Sequence, residues 1–135
     1  MRRDNWRSNL FAFFSDIKRK PFDKNSNNCA QFVASGYTIM REDDPFKPYR
    51  KYKTYAALVR AVKKDGYLNH VDFYSTFLTA YDHPSQAQVG DIAVYKLDDD
   101  IGFASGFVIG THVFVLREDG LGQLPLSSAF KVFQV

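Results

Sequence analysis

The sequence predicts a single α+β domain, with helices first and an antiparallel sheet after. Three observations lead there. The chain has 135 residues, the length of one hydrophobic core. Apolar residues recur every three or four positions as far as about residue 82, and from residue 89 they form short strand-like runs divided by turn residues. One domain, 1–135, is therefore expected, with a helical half at 5–82 and a sheet half at 89–135. At 45% hydrophobic and 16% aromatic residues, the composition excludes a disordered chain. No run reaches the roughly 18 uncharged apolar residues of a membrane span.

The first helix is read from Trp6, Leu10, Phe13 or Phe14 and Ile17, with Asn5 or Ser8 as cap. Lys18-Arg19-Lys20 places cations at the negative dipole end, and Pro21 stops the helix. The start is basic, but Asn9 to Phe14 is too short an apolar run for a secretory h-region. Asp23 to Asn28 is polar, and Cys29-Ala30-Gln31-Phe32-Val33-Ala34 resumes the apolar pattern at once. A second helix is thus expected to open close to Cys29, with Ala30, Val33, Ala34 and Tyr37 on one face. Arg41 to Lys53 reads as a surface loop. Thr54 then caps a third helix carrying Tyr55, Leu58, Val59 and Val62, which Asp65-Gly66 ends. A weaker helical pattern covers Val71 to Tyr81.

Strands are expected at Asp91–Leu97, at Gly102–Ile109 with Thr111–Leu116 as an antiparallel pair, and at Phe130–Val135. Asp98-Asp99-Asp100 and Glu118-Asp119-Gly120 supply turns. The aspartate run lacks the spacing and the downstream glutamate of a calcium loop, and no Gly-rich phosphate loop is present. No metal and no cofactor are expected.

Cys29 is the only cysteine, which excludes a disulfide framework and a multi-cysteine zinc site, and fits synthesis in a reducing cytoplasm. At the first turn of a helix it would meet free backbone N–H groups and the positive dipole end, which favour the nucleophilic thiolate. Charge is unevenly spread. Residues 1–70 hold 15 Lys and Arg against 7 Asp and Glu, and residues 71–135 hold 3 against 8. A solvated surface accounts for this, as does an anionic partner or an acidic neighbouring subunit. No helix-turn-helix, RNP or Cys/His finger pattern accompanies the basic residues, so nothing specific indicates nucleic acid.

The ordered series Lys20-Pro21-Phe22, Asn28-Cys29-Ala30-Gln31-Phe32, Gly90-Asp91-Ile92-Ala93-Val94-Tyr95, Gly106-Phe107-Val108-Ile109-Gly110 and Glu118-Asp119-Gly120-Leu121 resembles the small NlpC-like proteins of tailed bacteriophages. Those are short members of the papain-like cell-wall peptidase superfamily. The resemblance implies a papain-like fold, Cys29 as nucleophile, and Gly90-Asp91 as the start of the first sheet strand. It places the family's histidine column on Ala104, so the general base is absent where the family keeps it. His112, in the following strand, is the candidate for a displaced base. His70 and His83 have no positional argument in their favour. Two functions follow from the resemblance. The first is a structural virion component of the tail or head-to-tail region with a degenerate catalytic site, made in the host cytoplasm. Its partners would be other virion proteins, including copies of itself in a homo-oligomeric ring. The alternative is an active cysteine endopeptidase or amidase acting on peptidoglycan.

Overall fold

The computed structural model describes residues 2–20, 29–52, 54–67, 70–96, 103–117 and 120–135, and of Cys29, Tyr55, His70 and Phe103 it describes the backbone. The expected stop at Pro21, the polar run 23–28, the aspartate turn 98–100 and residues 118 and 119 lie outside the described residues. Four helices are described: α1 (Trp6–Lys18), α2 (Cys29–Met40), α3 (Tyr55–Lys64) and α4 (His70–Tyr74). The strands are β1 (Thr79–Ala80), β2 (Ile92–Lys96), β3 (Phe103–Val108), β4 (His112–Arg117), β5 (Gly120–Pro125) and β6 (Lys131–Gln134). They form one antiparallel sheet in the order β1-β6-β2-β3-β4-β5. The molecule is therefore α+β, as the change of period predicts.

Helices α1 and α2 fold because each has one apolar stripe to bury. Leu10, Phe14 and Ile17 of α1 and Phe32, Val33, Tyr37 and Met40 of α2 enter a core with Ile92, Val94, Phe107, Phe114, Leu116 and Phe133 of the sheet. Asn5 precedes α1 in the left-handed region, at φ 59°, without a side-chain cap bond. Thr54 does cap α3, its Oγ1 accepting the Ala57 N–H at 3.2 Å. Close approach of α2 to the sheet depends on Gly36, since a Cβ there would lie 2.5 Å from the Phe107 ring.

The opposite face of the sheet is covered too. Ala93, Tyr95, Ala104, Val108, Val113, Val115 and Val132 form a second cluster, against which Tyr81, Ala87, Leu124, Leu126 and Ala129 pack. Strand β2 consequently reads as a continuous apolar run, Ile92-Ala93-Val94-Tyr95, all buried, as strands covered on both faces do.

Two expectations are corrected here. The weak helix over Val71–Tyr81 is one short helix, His70–Tyr74, and then strand β1 at Thr79–Ala80. Phe73 and Phe77 turn toward each other and toward Phe46, with ring centroids 5.2–5.8 Å apart, so an aromatic cluster replaces the helical stripe. Strand β5 is an addition that the turn at 118–120 did not anticipate. The 41–52 loop is held by that cluster through Phe46, and by the ion pair of Arg50 Nε with Asp44 Oδ2 at 2.7 Å.

Burial pushes the Tyr95 phenol up from 10.0 to about 12, and burial with a hydrogen bond to Asp91 takes Tyr81 to about 12. The fold therefore favours the neutral phenols. Their contribution is complete below pH 10 and is lost as pH rises from about 10 through about 12. In a pH series of thermal melts, Tm should hold to about pH 10 and then fall, and Tyr95→Phe should make the fall shallower. A Tm level to pH 12 in the parent protein would contradict this.

Candidate functional site

The α2–β3 contact positions the residues that the resemblance singles out. Phe32 and Gly36 of α2 both meet Phe107 of β3. Further on, Met40 ends the helix beside Gly90, where a Cβ would lie 3.0 Å from its Sδ. Gly90 N–H donates to Val108 O at 2.8 Å, so α2 finishes over the end of β3. Cys29, the first of the helix's 12 residues, is about 16 Å back along the axis at 1.5 Å per residue. It is the first described residue of the helix, directly after the polar run expected to precede it, which lies outside the described residues.

His112 lies at the β3–β4 turn. The β3–β4 hairpin pairs Val108 with Val113, and Ile109 N–H donates to His112 O at 2.9 Å. That register puts His112 beside the hairpin turn, at the end of the sheet where α2 finishes. Its exposed ring has Nδ1 3.0 Å from Thr111 Oγ1. An acid or base must come within about 3 Å of the proton it moves, and the Cys29 side chain lies outside the described residues.

Ala104 pairs with Tyr95 and shares the second cluster with it, so its side chain turns away from α2. Ser105, the next residue, pairs with Val94 on the helix face and is fully buried. His83 is a cap: its Nδ1 accepts the Ser85 N–H at 3.1 Å, and Gln86 Oε1 accepts the His83 N–H at 2.9 Å. His70 opens α4.

The densest polar arrangement is one that sequence reasoning missed. Asp91, only 1% exposed, receives Arg2 Nη2 at 2.8 Å and Val135 N–H at 3.0 Å on Oδ1. Its Oδ2 receives the Tyr81 hydroxyl at 2.7 Å and Gln88 N–H at 2.8 Å. Arg2 also donates from Nη1 to Val89 O and from Nε to Val135 O and lies 4.2 Å from the Trp6 ring centroid. Burial lowers the Arg2 pKa, opposed by the charge of Asp91. Gly90 makes this approach feasible, because its φ is +91° and a Cβ there would sit 2.8 Å from Arg2 Nη1. With all its acceptor sites filled by the fold, this carboxylate is a clamp between the first described residues, the start of β2 and the end of β6. Nothing local in the sequence signals it, since Arg2 and Asp91 are 89 positions apart.

No three His, Cys, Asp or Glu side chains gather as a metal-holding group among the described residues, and no helix among them is long and apolar enough to cross a membrane. The fold and these placements define a small α+β protein with a helix-opening cysteine, a sheet closed on both faces and a buried arginine–aspartate clamp. Over residues 1–135 the sequence matches the model of a domain of unknown function, DUF6950, and the chain belongs to that family. No curated protein matches it.

Proposed function

We propose that this protein is a structural component of a tailed-bacteriophage particle, in the tail or head-to-tail region, built on an NlpC-like, papain-like fold whose hydrolytic chemistry it does not perform. The observation that carries the reading is Ala104. It occupies the position where the resemblance expects the histidine base, and its side chain faces away from the helix that Cys29 opens. A thiolate at a helix start is a competent nucleophile. Acyl transfer also needs a proton delivered to the leaving amine, which the methyl group of Ala104 cannot supply. The uneven charge of the two halves fits packing between subunits. One acidic side chain of the second half, Asp91, is already neutralised internally by Arg2.

The test is turnover on purified peptidoglycan, comparing the protein with Cys29→Ala. No soluble muropeptides are expected from either, while antibodies to the chain should label intact virions at a fixed position. Release of muropeptides by the parent protein and not by Cys29→Ala would overturn the reading in favour of a cysteine peptidase.

A further inference from the structure

Residues 45–64 hold seven Lys and Arg and no Asp or Glu. The fold gathers most of that charge. Lys47 opens a single 3-10 turn, Lys47–Tyr49, Lys51 follows it, and Arg60, Lys63 and Lys64 stand on α3; all five side chains are exposed. Arg60, Lys63 and Lys64 are spaced i, i+3 and i+4, which is one face of a helix. The Tyr49 hydroxyl donates to Asp65 Oδ2 at 2.7 Å, and this bond draws the 3-10 turn to the last turn of α3. The two groups of cations therefore adjoin. Arg50 is held instead by Asp44, and Lys53 lies outside the described residues.

Nothing nearby neutralises this face. Helix α3 has no acidic residue, so Arg60 and Lys64 repel each other mildly at i, i+4. Among the described residues none of the five cations is in an ion pair. A face that concentrates cations at a cost to its own helix is complementary to a polyanion.

The surroundings of the cations select the polyanion. Leu58, Val59 and Val62 of α3 are half-buried, and the exposed large apolar side chains among the described residues, Phe11 and Phe130, lie on α1 and beside β6. The described face thus has no apolar anchor for a bilayer. Single strands are held on aromatic platforms, but the Tyr49 ring is packed edge-to-face with Phe73, centroids 5.5 Å apart. Point charges, mostly lysine, suit the regular phosphates of a duplex.

We propose that α3 and the 47–51 turn bind the phosphate backbone of double-stranded nucleic acid without reading its bases. Backbone contacts position a protein on a duplex but carry no sequence information, and their strength is set by salt. This contact is independent of Cys29 and of the function proposed above, and each can be tested without the other.

The probe is a fluorescently labelled duplex of about 20 base pairs and arbitrary sequence, titrated with the protein at about 50 mM and about 200 mM salt. Three to five phosphate contacts predict a roughly 40- to 500-fold loss of affinity between the two. Lys63→Gln with Lys64→Gln should weaken binding about tenfold or more at the lower salt and reduce the salt slope by about 2. Lys47→Gln with Lys51→Gln, on the turn, should do the same. Arg117→Gln with Lys131→Gln removes equal charge from β4 and β6 and should change affinity by less than about threefold. All variants are checked for an unchanged circular dichroism spectrum. No duplex binding at the lower salt, an affinity that ignores salt, or equal losses for the face and strand variants would each overturn the proposal. So would equal or tighter binding of a single strand, of vesicles containing phosphatidylglycerol, or of polyglutamate at matched charge.

Discussion

Asp91→Ala is expected to lower the unfolding free energy by about 3–5 kcal/mol, the cost of leaving one partner of a buried ion pair alone. The carboxylate is 1% exposed and accepts four hydrogen bonds, two on each oxygen. Its removal strands the Arg2 guanidinium, the Tyr81 hydroxyl and the N–H groups of Gln88 and Val135. Asp91→Asn should recover little, because the amide keeps the shape but turns a donor toward groups that are themselves donors. Urea unfolding of the two variants tests this directly. In a double-mutant cycle, adding Arg2→Met to Asp91→Ala should cost less than the sum of the single changes, since the guanidinium then has no lost partner. A loss under about 1 kcal/mol for Asp91→Ala would place the clamp among ordinary surface ion pairs.

Phe107→Ala is the second large effect, again about 3–5 kcal/mol, as for large-to-small changes that leave a cavity. The ring is fully buried and sits 6.0 Å from Phe14 and 5.4 Å from Phe32, centroid to centroid. It therefore joins β3 to both α1 and α2, and Gly36 is small because this ring lies against it. Filling by neighbours is restricted, since Phe14 already has an edge-to-face contact with Phe114 at 5.0 Å. Phe107→Leu, which keeps most of the volume, should cost much less. Equal losses for the two substitutions would show that the site depends on ring geometry rather than on filled space.

How far the sequence was legible follows from how local each determinant is. Helices α1 and α3 were readable because a 3–4-residue stripe and a terminator lie within or beside each segment, as with Thr54 before α3 and Asp65-Gly66 after it, whereas α2 offered a stripe but no clear end. Strand β1 was not readable, because two residues leave no period and their pairing is with Phe133 and Gln134, more than fifty residues on. Placement of β6 between β1 and β2 is a choice made by tertiary packing alone. Strand β5 was hidden by its two glycines and lack of β-branched residues. At the candidate site, Ala104 could be assigned to a column, but its facing could not, since a slip of one residue turns every side chain of a strand to the other face. Ser105, one position along, looks toward the helices. His112 was plausible from its place in the strand after that column, and the hairpin register sets it beside the β3–β4 turn.

Asp91 has a mechanical consequence as well. Its Oδ1 is shared by Arg2 and Val135 N–H, residues 133 positions apart. Tension applied between those two residues would load the clamp before any helix or core contact, because they are already side by side. The first event under force would be loss of a few charge-assisted hydrogen bonds, followed by peeling of β6 from β2, where the ladder yields one pair at a time. Neighbours attached at both points would pull on a common node rather than across the domain.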